Sequence, residues 1–300
     1  ENTEVNALFD FFTIKSHTNT MNPKKIEALI GNTPLVETRN LVKNKNVRLL
    51  LKLEGNNPGG SVKDRAAYNM IAAALERGTL KRGDKLIEAT SGNTGIALAM
   101  IAKLMGIEIE LILPESATKE RTQTMRAFGA KVILTPAKEG IIGSRKYADQ
   151  KVAEGGYLML NQFANNDNWK AHYKTTGPEI WRDTKGAVTH FVSAMGTTGT
   201  IMGTSTFLKE QNSDIQIIGA QPSEGSKIPG IRKWPKEFLP KIFNPKKVDK
   251  ILEVSEVEAR AMTKRLALEE GVFAGMSSGG SVATAVKVAN SLDSGEAVAI

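Results

Sequence analysis

An α/β protein with two doubly wound lobes and mainly parallel sheets is the class this sequence predicts. Three observations carry it. Short apolar, β-branched runs alternate with helical periodicity along most of the chain, the pattern of strands joined by crossover helices. The chain has 300 residues, the length at which one hydrophobic core usually gives way to two. The run Asn161–Trp169 (N-Q-F-A-N-N-D-N-W) is polar and turn-rich, as a crossing between two lobes would be.

The elements follow in order. Val47–Leu53 reads as a strand. Lys63–Arg77 reads as a helix, because Ala67, Met70, Ile71, Ala74 and Leu75 fall on one stripe. Leu86–Ala89 is a short strand and Thr94–Leu104 an apolar helix. Ile107–Leu113 is a strand, Lys119–Phe128 a helix and Val132–Leu134 a strand. Gly155-Gly156 precedes a strand at Tyr157–Leu160. Val188–Ala194, Ile215–Ala220 and Val272–Ala274 read as further strands, with helices after several of them. Ligands of such a sheet gather in loops at the carboxyl ends of its strands. The end, Glu296–Ile300, reads as a buried strand with no turn after it, so the natural chain is expected to continue. The first twenty residues lack the basic start and longer apolar stretch of a secretory signal, and Glu1, Glu4 and Asp10 are acids that a transit peptide would avoid. These twenty residues read as an added or mis-started extension, non-native or disordered, with Met21 as the natural start.

Composition narrows the function. Cysteine is absent, so these residues hold no disulfide framework, thiolate metal site or catalytic thiol. His17, His172 and His190 are too scattered for a local zinc motif. No apolar run approaches the length of a membrane span. Lys plus Arg is 40 and Asp plus Glu is 32, a net +8. Over Ser226–Lys250 eight basic residues face two acids, so +6 of that excess falls in one stretch. A nucleic-acid surface would need a longer basic face with interleaved aromatics.

Five loops could carry chemistry. In N-N-P-G-G-S-V-K-D-R (Asn56–Arg65), Ser61 suits a helix N-cap and places Lys63 in the first turn. A cation there opposes the helix dipole, and the same positive end favours a neutral amine, the form that attacks a carbonyl. Taken alone, a surface lysine is the simpler reading. In E-A-T-S-G-N-T-G-I-A-L-A (Glu88–Ala99), Thr90, Ser91, Asn93 and Thr94 offer polar groups at a helix start, which suits a carboxylate or a plain capped turn. M-G-T-T-G-T-I-M-G (Met195–Gly203) reads as a phosphate cradle without Lys or Arg, or as a structural Gly/Thr turn. G-M-S-S-G (Gly275–Gly279) fits a nucleophile elbow, but no histidine follows His190, so a hydrolase is rejected and Ser277 is left as a cleft hydroxyl or a cap. Finally, S-E-G-S-K-I-P-G-I-R-K-W-P-K (Ser223–Lys236) is a basic turn or a solvated loop.

Together, in this order, S-V-K-D-R, T-S-G-N-T-G, G-T-T-G-T and the late S-S-G-G resemble the fold-type II pyridoxal-phosphate enzymes. I-G-N-T-P-L-V (Ile30–Val36) is similar to their opening. Among them the chain resembles the cysteine synthase / cystathionine β-synthase family, and I-P-G-I-R-K-W-P is similar to the B-type cysteine synthases. The resemblance covers about Ile26 to Ile300. It implies a fold like the tryptophan synthase β-subunit, with 57–165 as a smaller mobile lobe and 21–56 plus 166–300 as the larger one.

The same resemblance implies pyridoxal 5′-phosphate held by Lys63, which also removes the substrate α-proton. It places the phosphate on Gly196, Thr197, Thr198, Gly199 and Thr200, the ring hydroxyl on Asn93 and the pyridine nitrogen against Ser277. It assigns the substrate carboxylate to Thr90, Ser91, Thr94 and Gln162, with lobe closure excluding water. The implied reaction is β-replacement: O-acetyl-L-serine loses acetate to give α-aminoacrylate, and sulfide or thiosulfate adds. A dianionic donor would suit Arg232. A cytoplasmic homodimer is implied too, with no nucleic-acid or membrane partner. The sequence departs from the family in ending at Ile300 and in carrying Ala274 where B-type relatives often have cysteine. Rival readings are a cystathionine β-synthase-like or serine/threonine dehydratase enzyme of the same fold, and a non-catalytic binding protein.

Overall fold

The protein's structure, a computed structural model, describes residues 25–90 and 92–300. The expected extension, 1–20, and Ser91 lie outside the described residues. Two sheets organise the molecule. The larger contains β1 (Leu35–Glu37), β2 (Val47–Lys52), β6 (His190–Ala194), β7 (Gln216–Pro222), β8 (Lys250–Val254) and β9 (Gly295–Ala299), in the order β1-β2-β9-β6-β7-β8. The smaller contains β3 (Lys85–Ala89), β4 (Glu108–Pro114) and β5 (Lys131–Thr135) in sequence order. Every pairing is parallel except β1 with β2. The expected α/β class with mainly parallel sheets is therefore what the chain adopts.

Parallel strands need cover on both faces, and side chains alternating along each strand supply two apolar faces. On the smaller sheet Leu86, Leu111 and Leu113 pack on α1 (Lys63–Glu76) and α2 (Asn93–Met105), through Met70, Ile71, Leu98 and Ile101. Ile87 and Ile112 face the other way, onto Ala148 of α4 (Gly140–Glu154). α3 (Lys119–Ala127) closes the first layer through Met125. The larger sheet repeats the device. Leu49, Leu51, Val192 and Ala297 meet α8 (Glu256–Glu270) and α9 (Met276–Asn290). Leu50, Phe191, Ile217 and Val298 meet α6 (Thr176–Asp183) and α7 (Gly199–Gln211). Between them, α5 (Asn166–Lys174) packs on both α1 and α7. The apolar end of the sequence becomes β9, buried between β2 and β6.

Two expected strands are not strands. Tyr157–Leu160 runs beside β3 but makes only a parallel bridge, Leu158 to Leu86, before the chain turns away at Asn161. Val272–Ala274 is irregular: α8 closes at left-handed Gly271, and the Val272 N–H returns to the Leu266 carbonyl. Its backbone thus completes a helix end, and Phe273 is 98% exposed.

Candidate active site

The site assembles where β3, β6 and the helices after them present their ends. Lys63 is the first residue of α1. The expected cap acts one residue early: Val62 holds the N-cap place, and Ser61 Oγ accepts the Lys63 N–H at 3.2 Å. Burial holds the Lys63 ammonium below its ordinary pKa of 10.5, against the opposing charge of Glu54. Among the described residues, no hydrogen bond or ion pair engages Lys63 Nζ.

What fixes α1 is a buried ionic cluster that the sequence reading did not find. Arg65 Nε and Nη2 donate to Glu54 at 2.7 and 2.8 Å, and Nη1 and Nη2 donate to Glu179 at 2.7 and 2.8 Å. Lys52 Nζ, at the end of β2, lies 2.8 Å from Glu179 Oε2. Burial alone would raise Glu179, but the hydrogen bonds and charge of Arg65, with Lys52 and the Asn32 N–H, carry it down to about 2. The helix that begins with Lys63 is thereby tied to the larger sheet and to α6. Next to the lysine, Asp64 is fully buried: its Oδ2 accepts the Gly59 N–H and its Oδ1 has no partner. Burial lifts its carboxyl to about 6.

The cradle Gly196–Thr200 joins β6 to α7. Thr198 sits at φ +70°, a left-handed conformation rare for a β-branched residue, and its buried Oγ1 has no partner. Gly199 has no room for a Cβ, which would strike the Asn168 side chain. A Cβ on Gly196 would lie 2.7 Å from the Gly230 carbonyl. The basic turn is therefore built onto the cradle: Trp234 Nε1 donates to the Gly196 carbonyl at 2.8 Å, and the Arg232 N–H to Met195 O at 2.8 Å. Arg232 is itself exposed, its guanidinium 5.6 Å from the Trp234 ring centre. Ser277, in the first turn of α9, lies against Gly230. The cradle, the turn and Ser277 thus form one wall.

The opposite wall is the start of α2. Thr90 ends the run of β3, and buried Thr94 Oγ1 donates to Gln162 Oε1 at 2.8 Å. Asn93, the first residue of α2, is exposed. Asn168 joins the walls, its Nδ2 donating to the Gln162 carbonyl at 2.7 Å and to Thr197 Oγ1 at 3.1 Å. His172 stands behind the cradle, its Nε2 3.4 Å from Thr200 Oγ1 and its Nδ1 2.8 Å from Thr176 Oγ1. Burial, with the charges of Arg65 and Lys63, keeps this imidazole neutral, well below its usual pKa. Asn168 and His172 were legible only as part of a polar crossing and as one scattered histidine. Among the described residues no group of side chains could hold a metal ion.

These residues suit a phosphate-bearing aldehyde cofactor. The cradle lies at the positive end of a 13-residue helix, is packed too closely at Gly196 and Gly199 for a Cβ and offers an unused Thr198 hydroxyl. Lys63, whose charge acts on the His172 ring behind the cradle, offers an amine shifted toward its neutral form. Comparison with known proteins gives the class: a family model described as pyridoxal-phosphate dependent enzyme matches residues 26–300, and the chain belongs to that family. Within it, the chain is 54% identical to cysteine synthase B of Pseudomonas aeruginosa over 271 residues, 90% of this chain and 91% of that one. It is 53% identical to cysteine synthase B of Salmonella typhimurium, over 92% of this chain and 91% of that one. Among solved structures, a cysteine synthase from Entamoeba histolytica superposes with a TM-score of 0.89 at 36% identity, covering 95% of this chain and 88% of that one.

Proposed function

We propose that this protein is a pyridoxal-phosphate-dependent enzyme that makes L-cysteine and acetate from O-acetyl-L-serine and sulfide. The observation that carries the reading is Lys63: an amine shifted toward neutrality, at the start of a helix anchored by a buried ionic cluster, with a charge that acts on His172, the imidazole 3.4 Å from Thr200 of the cradle. Its close likeness to cysteine synthases supplies the substrate class.

The chain's residues divide the work as follows. Lys63 holds the cofactor aldehyde. Gly196, Thr197, Thr198, Gly199 and Thr200 hold its phosphate, the Thr198 hydroxyl finding there the partner it otherwise lacks. Asn93 meets the ring hydroxyl and Ser277 the pyridine nitrogen. Thr90, Ser91, Thr94 and Gln162 orient the substrate through its carboxylate. When bound, the cofactor supplies an electron sink for the pair released at the substrate α-carbon. Lys63 Nζ would take the α-proton and later return it to the α-carbon; acetate would leave the β-carbon with the C–O bonding pair, and hydrosulfide, keeping its own proton, would bond to that carbon. Movement of 57–165 over 21–56 and 166–300 would exclude water during these steps. The assembly we propose is a cytoplasmic homodimer, a reading that rests on the family; among the described residues no helix is long and apolar enough to cross a membrane.

The test is Lys63→Ala. It should abolish the visible absorption of the cofactor-loaded protein and lower cysteine formation by about 10²–10⁴-fold or more. A variant that kept both would sink the assignment. Thiosulfate is a second donor within this reading, favoured by the exposed Arg232 guanidinium stacked on Trp234 at the mouth of the cradle wall.

A further inference from the structure

We propose that Glu88 is a positioning residue for the substrate pocket: its buried carboxylate pins the chain at Asn161 and thereby sets where Gln162 stands relative to Thr90 and Thr94. This rests on the reading that Gln162 and Thr94 hold the substrate carboxylate.

Glu88 lies on β3, two residues before Thr90, and is 5% exposed. Its Oε2 accepts the Asn161 N–H at 3.1 Å, and the N–H groups of Gln162 and Leu160 also point at the carboxylate. Just before this point the chain is held to the smaller sheet by the Ile87 N–H to Leu158 O bond at 3.0 Å and the Leu158 N–H to Lys85 O bond at 2.9 Å. At Asn161 it leaves that sheet in a left-handed conformation, φ +55°, and its carbonyl closes a turn by accepting the N–H groups of Ala164 and Asn165. The carboxylate thus sits where the ladder ends and the crossing begins. A buried acceptor aimed at consecutive backbone donors fixes their orientation far better than water would.

The consequence reaches both walls of the site. Gln162 Oε1 receives the Thr94 hydroxyl, and Gln162 O receives Asn168, which also holds Thr197 of the cradle. Thr90 directly follows the strand that carries Glu88, so the strand that delivers Thr90 also clamps the segment that delivers Gln162. Without the clamp, the left-handed turn at Asn161 has lost an electrostatic restraint and Gln162 is free to shift from Thr94. The charged group facing Glu88 is Arg145 of α4, whose guanidinium also lies 5.5 Å from the Phe163 ring centre in the same crossing. Burial raises the Glu88 carboxyl to about 7, the N–H groups and Arg145 opposing it, so the clamp changes charge near neutrality.

The experiment is a double-mutant cycle on the cofactor-loaded enzyme, read as KM for O-acetyl-L-serine. Glu88→Gln should raise KM about 10-fold with kcat changed less than about 3-fold, and should add little in a Gln162→Ala background, because neighbours in one network do not act additively. Wild-type KM should rise as pH falls through about 7, and the Glu88→Gln profile should lack that rise. A purely structural role would lower stability without this coupling or pH signature. If Gln162→Ala raises KM but Glu88→Gln does not, or if the two effects simply add, the inference is overturned while the pocket reading stands. If Gln162→Ala itself leaves KM unchanged, the pocket reading fails and takes the inference with it. Should Glu88→Gln fold poorly, Glu88→Asp, which keeps the charge but shortens the reach, should show the same KM rise. Hydrogen exchange on the unmodified enzyme should then show protection at 160–162, corrected for intrinsic rate, falling below about pH 7; protection unchanged across that range overturns the inference.

Discussion

The close approach at Gly199 shows how much of the site depends on one missing Cβ. The space that a methyl group would fill is taken by Asn168, and Asn168 is the side chain that holds both the Gln162 carbonyl and Thr197 Oγ1. Gly199→Ala should therefore push Asn168 off its partners. We expect a stability loss of about 1–3 kcal/mol from overpacking and cofactor affinity weakened about 10-fold or more. Titrating cofactor-free protein with pyridoxal phosphate measures the second effect, and wild-type affinity would show that the cradle does not depend on Asn168. At this scale the sequence was informative about which residue types matter and silent about their supports. Gly199 and Thr197 stand out in G-T-T-G-T, whereas Asn168 is one of several asparagines in a polar run and only the fold brings it to the cradle. Glu88 was equally hidden, since an acid at a strand end gives no sign of whether it faces water or three N–H groups.

At the scale of elements, α1 is placed by charge as much as by its apolar stripe. Its start is held through Arg65 by Glu54, before the helix, and by Glu179 of α6, which also receives Lys52 from β2. Removing one member of a buried ionic cluster leaves the others uncompensated, at a cost of about 3–5 kcal/mol. Glu179→Gln should show a loss of that order at neutral pH. Because Glu179 titrates at about 2 instead of 4.5, its contribution is fully present above about pH 4.5 and is lost as pH falls toward about 2. The difference between variant and wild type should shrink across that interval in denaturant titrations; a constant difference would contradict the cluster's electrostatic role. The helices and strands with strong apolar periodicity, α1, α2, β2 and β4, were readable within a residue or two, because one buried stripe or a double-faced apolar run sets their pattern. β8 was not, since K-I-L-E-V at the sheet edge is largely exposed and its pattern resembles a loop. Val272–Ala274 misled for the opposite reason: an apolar run there closes a helix and leaves Phe273 in solvent.

Across the whole molecule, charge is distributed in a way that bears on the sulfur donor. The chain carries +8, and +6 of it lies in Ser226–Lys250, the stretch whose turn is hydrogen-bonded onto the cradle through Trp234 and Arg232. Lys233 is paired with Glu253 at 2.6 Å, and Lys247 donates to Thr206 at 2.6 Å, so parts of this excess are locally engaged. Arg232 remains exposed beside the site, over the Trp234 ring. A field of this sign raises the encounter rate of anions, more for a dianion than for a monoanion, and salt removes the advantage as the screening length falls from about 30 Å at about 0.01 M to about 8 Å at about 0.15 M. If thiosulfate is a donor, its kcat/KM should drop several-fold over that range and more steeply than the value for sulfide. Arg232→Ala should lower the thiosulfate value about 10-fold relative to sulfide through loss of a charge-assisted contact and flatten the salt dependence, with the cofactor spectrum unchanged. Equal losses for both donors would assign the Arg232 side chain to the architecture of the turn, through its packing over the Trp234 ring, and would leave the concentrated charge without a part in choosing the donor.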